Sequence, residues 1–347
     1  MFVPPSAMTR TLEGMLERLP GVDDSEGRCH APEMGRLPSA SLSKGAGRET
    51  DMDVLTDVMR TTQVRGAILN VSRLTGRWGI RIRPGEFVGF HLVTQGDAWI
   101  RVAKAPPRRL LQGDLVLVPG GAVHTVSDRP ETPAIDLAEL CARATTSASS
   151  AGTTLVCGAF RSETGRSPLF SLLPPFLHLK AADVRKSPPL EGTLRLLLDE
   201  LESARPGREV LVDRLVDAFL IYVLRAWVEG QEDGAAGWLG ALGDSVVGRA
   251  IALVHGEPAR RWSVESLAEA VGISRAAFAK RFTQLVGMPP LAYVTRWRVE
   301  LALQQLRETD RTLASIASDV GYESVFAFSR AFKRLLGASP SAYRRTV

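Results

Sequence analysis

Two rhythms of apolar residues divide this chain. Between Val64 and about residue 160, apolar positions fall in short runs broken by Gly and Pro: AILNVSRL, GIRIR, EFVGFHLVTQG, AWIRVA, DLVLVPGG, HTVSD and TTLVCGAF. Many short strands at intervals of roughly ten residues predict a barrel or sandwich. Further on the spacing becomes three and four, as helices require. Ser187–Gly207 predicts a helix with Leu194, Leu197, Leu198 and Leu201 on one face and a Pro-Gly stop. Arg208–Gly230 predicts a second with two apolar stripes: Leu211, Leu215, Ala218, Phe219 and Tyr222, then Val212, Val216, Leu220, Val223 and Trp227. Only Asp213, Asp217 and Arg225 leave a polar strip, so this helix must be widely buried. Barrel and neighbouring helix together, or barrel and a second subunit, are the two ways to cover it.

Ahead of the strands, Asp51–Met59 places Val54, Leu55 and Val58 at helical spacing. Residues 1–51 are rich in Pro, Gly, Ser and Arg, with one helical patch around Leu12–Leu19, and read as a disordered extension. Cys29 and His30 lie there without neighbouring metal ligands. GQEDGAAGWLGALGD, centred on residues 233–245, reads as a linker.

The last third contains one helical module twice. Leu267, Ala268, Val271 and Gly272 match Ile316, Ala317, Val320 and Gly321 at an offset of 49. After one inserted residue the offset is 50: Phe278, Lys280, Phe282, Leu285, Gly287, Pro290 and Tyr293 match Phe328, Arg330, Phe332, Leu335, Gly337, Pro340 and Tyr343. Ser263 and Ser274 are N-cap candidates, and Gly272 ends the first helix. Two short helices with a tight turn form a helix-turn-helix, whose second helix enters a major groove. With the Phe residues inward, Arg275, Ala276, Ala279, Lys280 and Thr283 face outward. Their counterparts are Val325, Phe326, Ser329, Arg330 and Lys333, with Ser324 as cap. Lys280 and Arg330 suit guanine edges or phosphates alike.

Between the modules, Val299, Ala302, Leu303 and Leu306 mark a helix of roughly 18 residues, about 27 Å long. That length suits two reading heads roughly 34 Å apart. Charge agrees. From Arg249 onward there are 15 Lys and Arg against 8 Asp and Glu, a net +7, whereas the whole chain is +5. The remainder is therefore net −2, and the basic excess lies wholly in the repeat, as a module that binds a polyanion such as double-stranded DNA requires. A helical scaffold for protein partners is the plainer reading, but solenoids need three or more repeats.

The run from Ser263 to Leu306, then IASDVGYESVFAFSRAFKRLLGASPSAYRR, resembles the DNA-binding domain of AraC/XylS transcription regulators over about 85 residues. Gly321–Lys333 is its most specific part. The first recognition helix departs from many relatives in carrying only Ala276 and Ala279 where larger polar side chains are usual. The resemblance implies a sensing domain, a homodimer, an unidentified small-molecule effector, contact with RNA polymerase, and activation more than repression.

Gly113–His124, with Pro119 and Gly121 between, resembles the second motif of the cupin superfamily, whose jelly-roll barrels turn the histidine into a cavity. For the first motif Gly85 and His91 fit, but Val93 stands at the second histidine position and Asp97 near the acidic one. The missing histidine weakens an enzymatic reading and favours an effector cavity at His91, His124 and Cys157. His91 and His124 also make half a site for zinc or another divalent metal, with Asp97 or Cys157 to complete it; cavity histidines hydrogen-bonded to backbone or effector are the plainer reading. LVCGAF and LPPFLHL resemble a cupin-type AraC subgroup that includes regulators of reactive-oxidant responses, which implies a redox role for the Cys157 thiolate.

The fold expected is thus α+β and multidomain: a cupin-like β-barrel at 52–180, helical connector and dimerisation helices at 181–232, and an all-α double helix-turn-helix at 246–347. Hydrophobic and charged fractions of 45% and 23% are those of soluble proteins. No apolar run reaches membrane-spanning length and no secretory leader is visible, so a cytoplasmic protein is expected. Three separated cysteines without a CxxC pair fit a reducing compartment. A metal-dependent cupin enzyme fused to a DNA-binding tail is the chief alternative. A DNA-alkylation-response protein would need a reactive cysteine among metal ligands.

Overall fold

The computed structural model describes residues 53–85, 87–136, 152–162, 173–230 and 238–345. The 1–51 extension, with Cys29 and His30, and Cys141 lie outside the described residues.

Among the described residues, ten strands form two facing five-stranded sheets. The first has the order β1 (Val64–Leu74), β9 (Thr153–Ser162), β3 (Val88–Gln95), β6 (Leu115–Val118), β10 (Leu177–Leu179). The second has the order β5 (Arg108–Leu111), β4 (Asp97–Val102), β7 (His124–Ser127), β2 (Gly79–Ile82), β8 (Ile135–Asp136). This is the expected cupin-like domain, built as a sandwich whose sheets do not join edge to edge into a closed barrel.

The central strands of the first sheet, β9, β3 and β6, are buried on both faces. Val93, Val116, Val118, Leu155 and Cys157 point between the sheets, while Val88, Phe90, Leu92, Leu115, Leu117, Val156 and Phe160 point outward into a second core. Burial on both sides is why LVLV and LVCGAF read as unbroken apolar runs. Helix α1 (Val54–Thr62), α2 (Ala181–Lys186), α3 (Pro188–Glu202) and α4 (Arg208–Glu229) supply the covering. On α4 the stripe of Val212, Val216, Leu220, Val223 and Trp227 is fully buried, as is Phe219. The other stripe is not: Leu211 is exposed and Leu215, Ala218 and Tyr222 are half-buried. Asp217, on the polar strip, holds α4 to β1 by accepting from the Gly66 amide at 2.9 Å and pairing with Arg65 at 3.1 Å.

The sequence expected a linker at 233–245, and its second half is structured. Trp238–Ala241 forms a helical turn, α5, with Trp238, Leu239 and Ala241 buried. An indole in water would forfeit burial free energy, so the segment docks instead. Helices α6 (Val247–Gly256), α7 (Val264–Ala270) and α8 (Arg275–Val286) follow. Next come α9 (Pro290–Glu308), α10 (Leu313–Asp319), α11 (Val325–Leu336) and α12 (Pro340–Arg344). The spacer α9 has 19 residues, about 28 Å of rise. Phe278, Phe282, Tyr293 and Trp297 belong to the core that runs from the sensing half, whereas Val299, Leu303, Leu306, Ile316, Phe328 and Phe332 form a separate core. The first module is thus fused to the cupin side, and the second carries its own interior.

Candidate nucleic-acid interface and effector site

Each recognition helix starts from a capped serine. The Ala277 amide donates to Ser274 Oγ at 3.3 Å, and the Ala327 amide donates to Ser324 Oγ at 3.2 Å. Gly272 and Gly321, at φ +76° and +85°, make the two turns that aim these helices outward. Phe278, Phe282 and Val286 pack inward from α8, and Phe328, Ala331 and Phe332 from α11. Arg275, Ala276, Lys280 and Thr283 then lie exposed, with Ala279 half-buried. On the second module Ser324, Val325, Phe326, Arg330 and Lys333 are exposed and Ser329 half-buried. Arg275 pairs with Glu265 of α7.

The two faces are held in register by a residue that the periodicity did not single out. Arg298, on α9, donates from Nε to the Pro258 carbonyl and from Nη2 to the Arg260 carbonyl, each at 2.8 Å. Its guanidinium also lies 5.6 Å from the centre of the Tyr322 ring, in the turn of the second module. One side chain therefore ties the loop before α7 to the loop before α11. Neither loop has a sequence pattern that names its partner, so this tie was not legible beforehand.

In the cupin domain, His91 on β3 and His124 on β7 meet across the gap between the sheets. Their Nε2 atoms are 2.8 Å apart, and His91 Nδ1 is 3.0 Å from Cys157 Sγ, its register partner on β9. His124 Nδ1 lies 2.7 Å from the Ala122 carbonyl oxygen. Only one neutral assignment uses every hydrogen. A carbonyl can only accept, so His124 donates from Nδ1 and accepts at Nε2. His91 must then donate from Nε2 and accept at Nδ1, which leaves the Cys157 thiol to donate. Burial pulls the pKa of both histidines down, most strongly at His91, where His124 adds to the effect. Burial also pushes the Cys157 thiol up to about 12, so the ground state at neutral pH is thiol, not thiolate.

This arrangement is not a metal cage. Asp97 does not complete one: its carboxylate pairs with Arg109 at 2.9 Å, half-exposed at the far end of β4. Cys157 does not either, since its sulfur addresses the opposite edge of the His91 ring from the His124 contact. Val93 points inward from the same face of β3 as His91 and fills with methyls the place where another ligand would stand. Among the described residues no three His, Cys, Asp or Glu side chains converge on one point. A bound zinc would have to rest on two imidazoles alone, and the donor set does not fit it.

The turn that carries His124 is set by close glycine packing. The Gly85 amide donates to the Gly121 carbonyl at 3.1 Å, and a Cβ on Gly121 would run into the Gly85 carbonyl oxygen. His178 is a further polar residue in this half, 3.0 Å from buried Asp114, whose other oxygen accepts from the Ala181 amide. It anchors β10 and α2 and stands apart from the histidine pair.

Comparison with known proteins now decides the family. Residues 53–229 match a cupin family model and 267–346 a helix-turn-helix domain model. A putative AraC-like transcription regulator of Streptomyces lividans is 36% identical over 300 residues, covering 85% of this chain and 98% of its own. The chain belongs to the AraC-like transcription regulators. This regulator is also similar to the HTH-type transcriptional regulator AlkR of Acinetobacter baylyi, 29% identical over 85% of this chain and 99% of that one. The RCS-specific HTH-type transcriptional activator RclR of Escherichia coli is 29% identical over 85% and 98% respectively. Among solved structures, the DNA-binding domain of AdpA in complex with a target DNA covers 30% of the regulator and 92% of its own chain, at 32% identity and a TM-score of 0.29. Among the described residues no helix is long and apolar enough to cross a membrane.

Proposed function

We propose that the regulator grips two successive major grooves with α8 and α11, and that a signal received in the sandwich interior changes how firmly it does so. The observation that carries this reading is the duplicated module. Both recognition helices present exposed cationic faces, and Arg298 fixes one module against the other. A ligand shifts this equilibrium only by favouring one arrangement of the halves over another. The Cys157–His91–His124 chain is our candidate receptor element for an effector with complementary polar groups. Burial of the thiol makes recognition through hydrogen bonds the better-supported reading than attack by a standing thiolate. We read the cupin domain as binding without turnover, in keeping with the names of the relatives.

We further propose a cytoplasmic homodimer that recruits RNA polymerase as an activator. Exposed Val210 and Leu211 at the start of α4, continued by half-buried Leu215, Ala218 and Tyr222, support the dimer. The test is a reporter placed behind a promoter to which the regulator maps in the genome. His124→Ala is expected to change the inducer response while leaving promoter occupancy without inducer intact. A normal response from that variant would remove the receptor assignment.

A further inference from the structure

Phe326 stands apart from the other aromatic residues of the tail. Phe278, Phe282, Phe328 and Phe332 are fully buried, whereas Phe326 is 72% exposed. Its neighbour Val325 is exposed too, at the first turn of α11. Leaving a ring and an isopropyl group side by side in water forgoes burial free energy that a partner can recover. The ring is not loose: the Arg330 guanidinium, one helical turn on, sits 5.6 Å from its centre. The outward face of α11 therefore reads, from its N-terminal end, apolar at Val325 and Phe326, then cationic at Arg330 and Lys333.

Duplex DNA offers one apolar feature on its major-groove floor, the C5-methyl group of thymine, flanked by polar base edges and lined by phosphates. A face with an apolar tip and cationic flanks matches that pattern. We propose that the second module selects thymine, through contact of its methyl group with Phe326 and Val325, while Arg330, backed by the Phe326 ring, addresses an adjacent guanine or phosphate. This rests on the reading of α11 as a groove-entering helix, and it adds the base chemistry that helix recognises. Ala276 and Ala279 on α8 offer neither comparable apolar area nor hydrogen-bonding side chains. Discrimination by apolar contact with a base therefore falls to the second module.

The experiment uses the full chain and a library of random-sequence duplexes. The wild-type protein is expected to enrich sites with thymine at a fixed position in one half of the footprint. Replacing that thymine with deoxyuridine removes only the methyl group. It should weaken binding about fourfold, the ratio corresponding to about 0.8 kcal/mol for one buried methyl-sized group. Phe326→Ala combined with Val325→Ala removes two exposed side chains and leaves the α11 core intact; this variant should bind thymine and uracil duplexes equally while still preferring the enriched site over random DNA. Three results overturn the proposal: equal wild-type affinity for the thymine and uracil duplexes at every position, a thymine preference that survives the double replacement, or unchanged DNA selection with lost promoter activation in that variant, which would make this apolar tip a polymerase contact. If the wild-type chain enriches no sequence at all, the groove-entering reading falls first and the proposal with it.

Discussion

Cys157→Ala tests the hydrogen-bond chain inside the sandwich most sharply. In the assignment forced by the Ala122 carbonyl, the thiol is, among the described residues, the donor that meets His91 Nδ1. Alanine removes that donor and leaves a buried nitrogen unpaired, which costs about 1–3 kcal/mol. Losing the sulfur's packing in a buried strand adds about 1 kcal/mol. The sum is about 2–4 kcal/mol, or about 30- to 700-fold less protection from amide hydrogen exchange where reclosing is fast relative to exchange. Cys157→Ser keeps a donor of similar placement and should lose clearly less. The assay is hydrogen exchange of the β3 and β9 amides, read locally because a two-domain chain does not unfold in one step. Serine equal to or worse than alanine would refute the reasoning, since sulfur would then act through its volume and not as a donor.

Arg298→Ala should lower thermal stability of the tail by about 2–3 kcal/mol, because two charge-assisted hydrogen bonds to carbonyls are lost at a half-buried site. It should also weaken binding to a two-groove site more than binding to random duplex; equal weakening would show that the tie does not set module spacing. His91, His124 and His255 all have pKa values lowered by burial, so below about pH 6.5 the unfolded chain takes up protons that the folded chain refuses. Stability should therefore fall as pH drops from about 6.5, and a denaturation midpoint flat from pH 7 to 5 would contradict the neutral chain. Gly121→Ala should cost about 2–4 kcal/mol through its positive φ and the collision with Gly85, whereas Gly120→Ala, also at positive φ but in open space, should cost about 1 kcal/mol. Thermal melts of the pair distinguish the clash from the conformational term.

What could be read ahead of the structure was whatever repeats or alternates locally. The offset of 49 and 50 residues placed both helix pairs, because the same Phe and Gly positions serve the same turn twice. The seven apolar runs all became strands. Arg108–Leu111, Ile135–Asp136 and Leu177–Leu179 were not anticipated, being short edge strands whose pairing is decided by distant partners. The docking of Trp238 was hidden by the glycines around it. Distance along the chain also concealed the contacts that join the halves. Gln63, at the end of α1, bonds to Glu308 and accepts from Arg307 at 2.9 Å at the end of α9. His91 and His124 were legible from their match to the cupin motifs, and Cys157 from the resemblance of its strand to a cupin-type AraC subgroup. Their linear order, and the loss of Asp97 to Arg109, depends on side-chain direction that spacing does not carry.

The central claim is that one chain holds two successive turns of duplex. Chemical footprinting of the major groove on a site enriched by the full-length regulator tests it directly. The account expects two protected patches per chain on one face of the helix, about ten base pairs apart, with Lys280→Ala thinning one patch and Arg330→Ala the other. A single patch per chain, or two patches weakened together by either substitution, would contradict it.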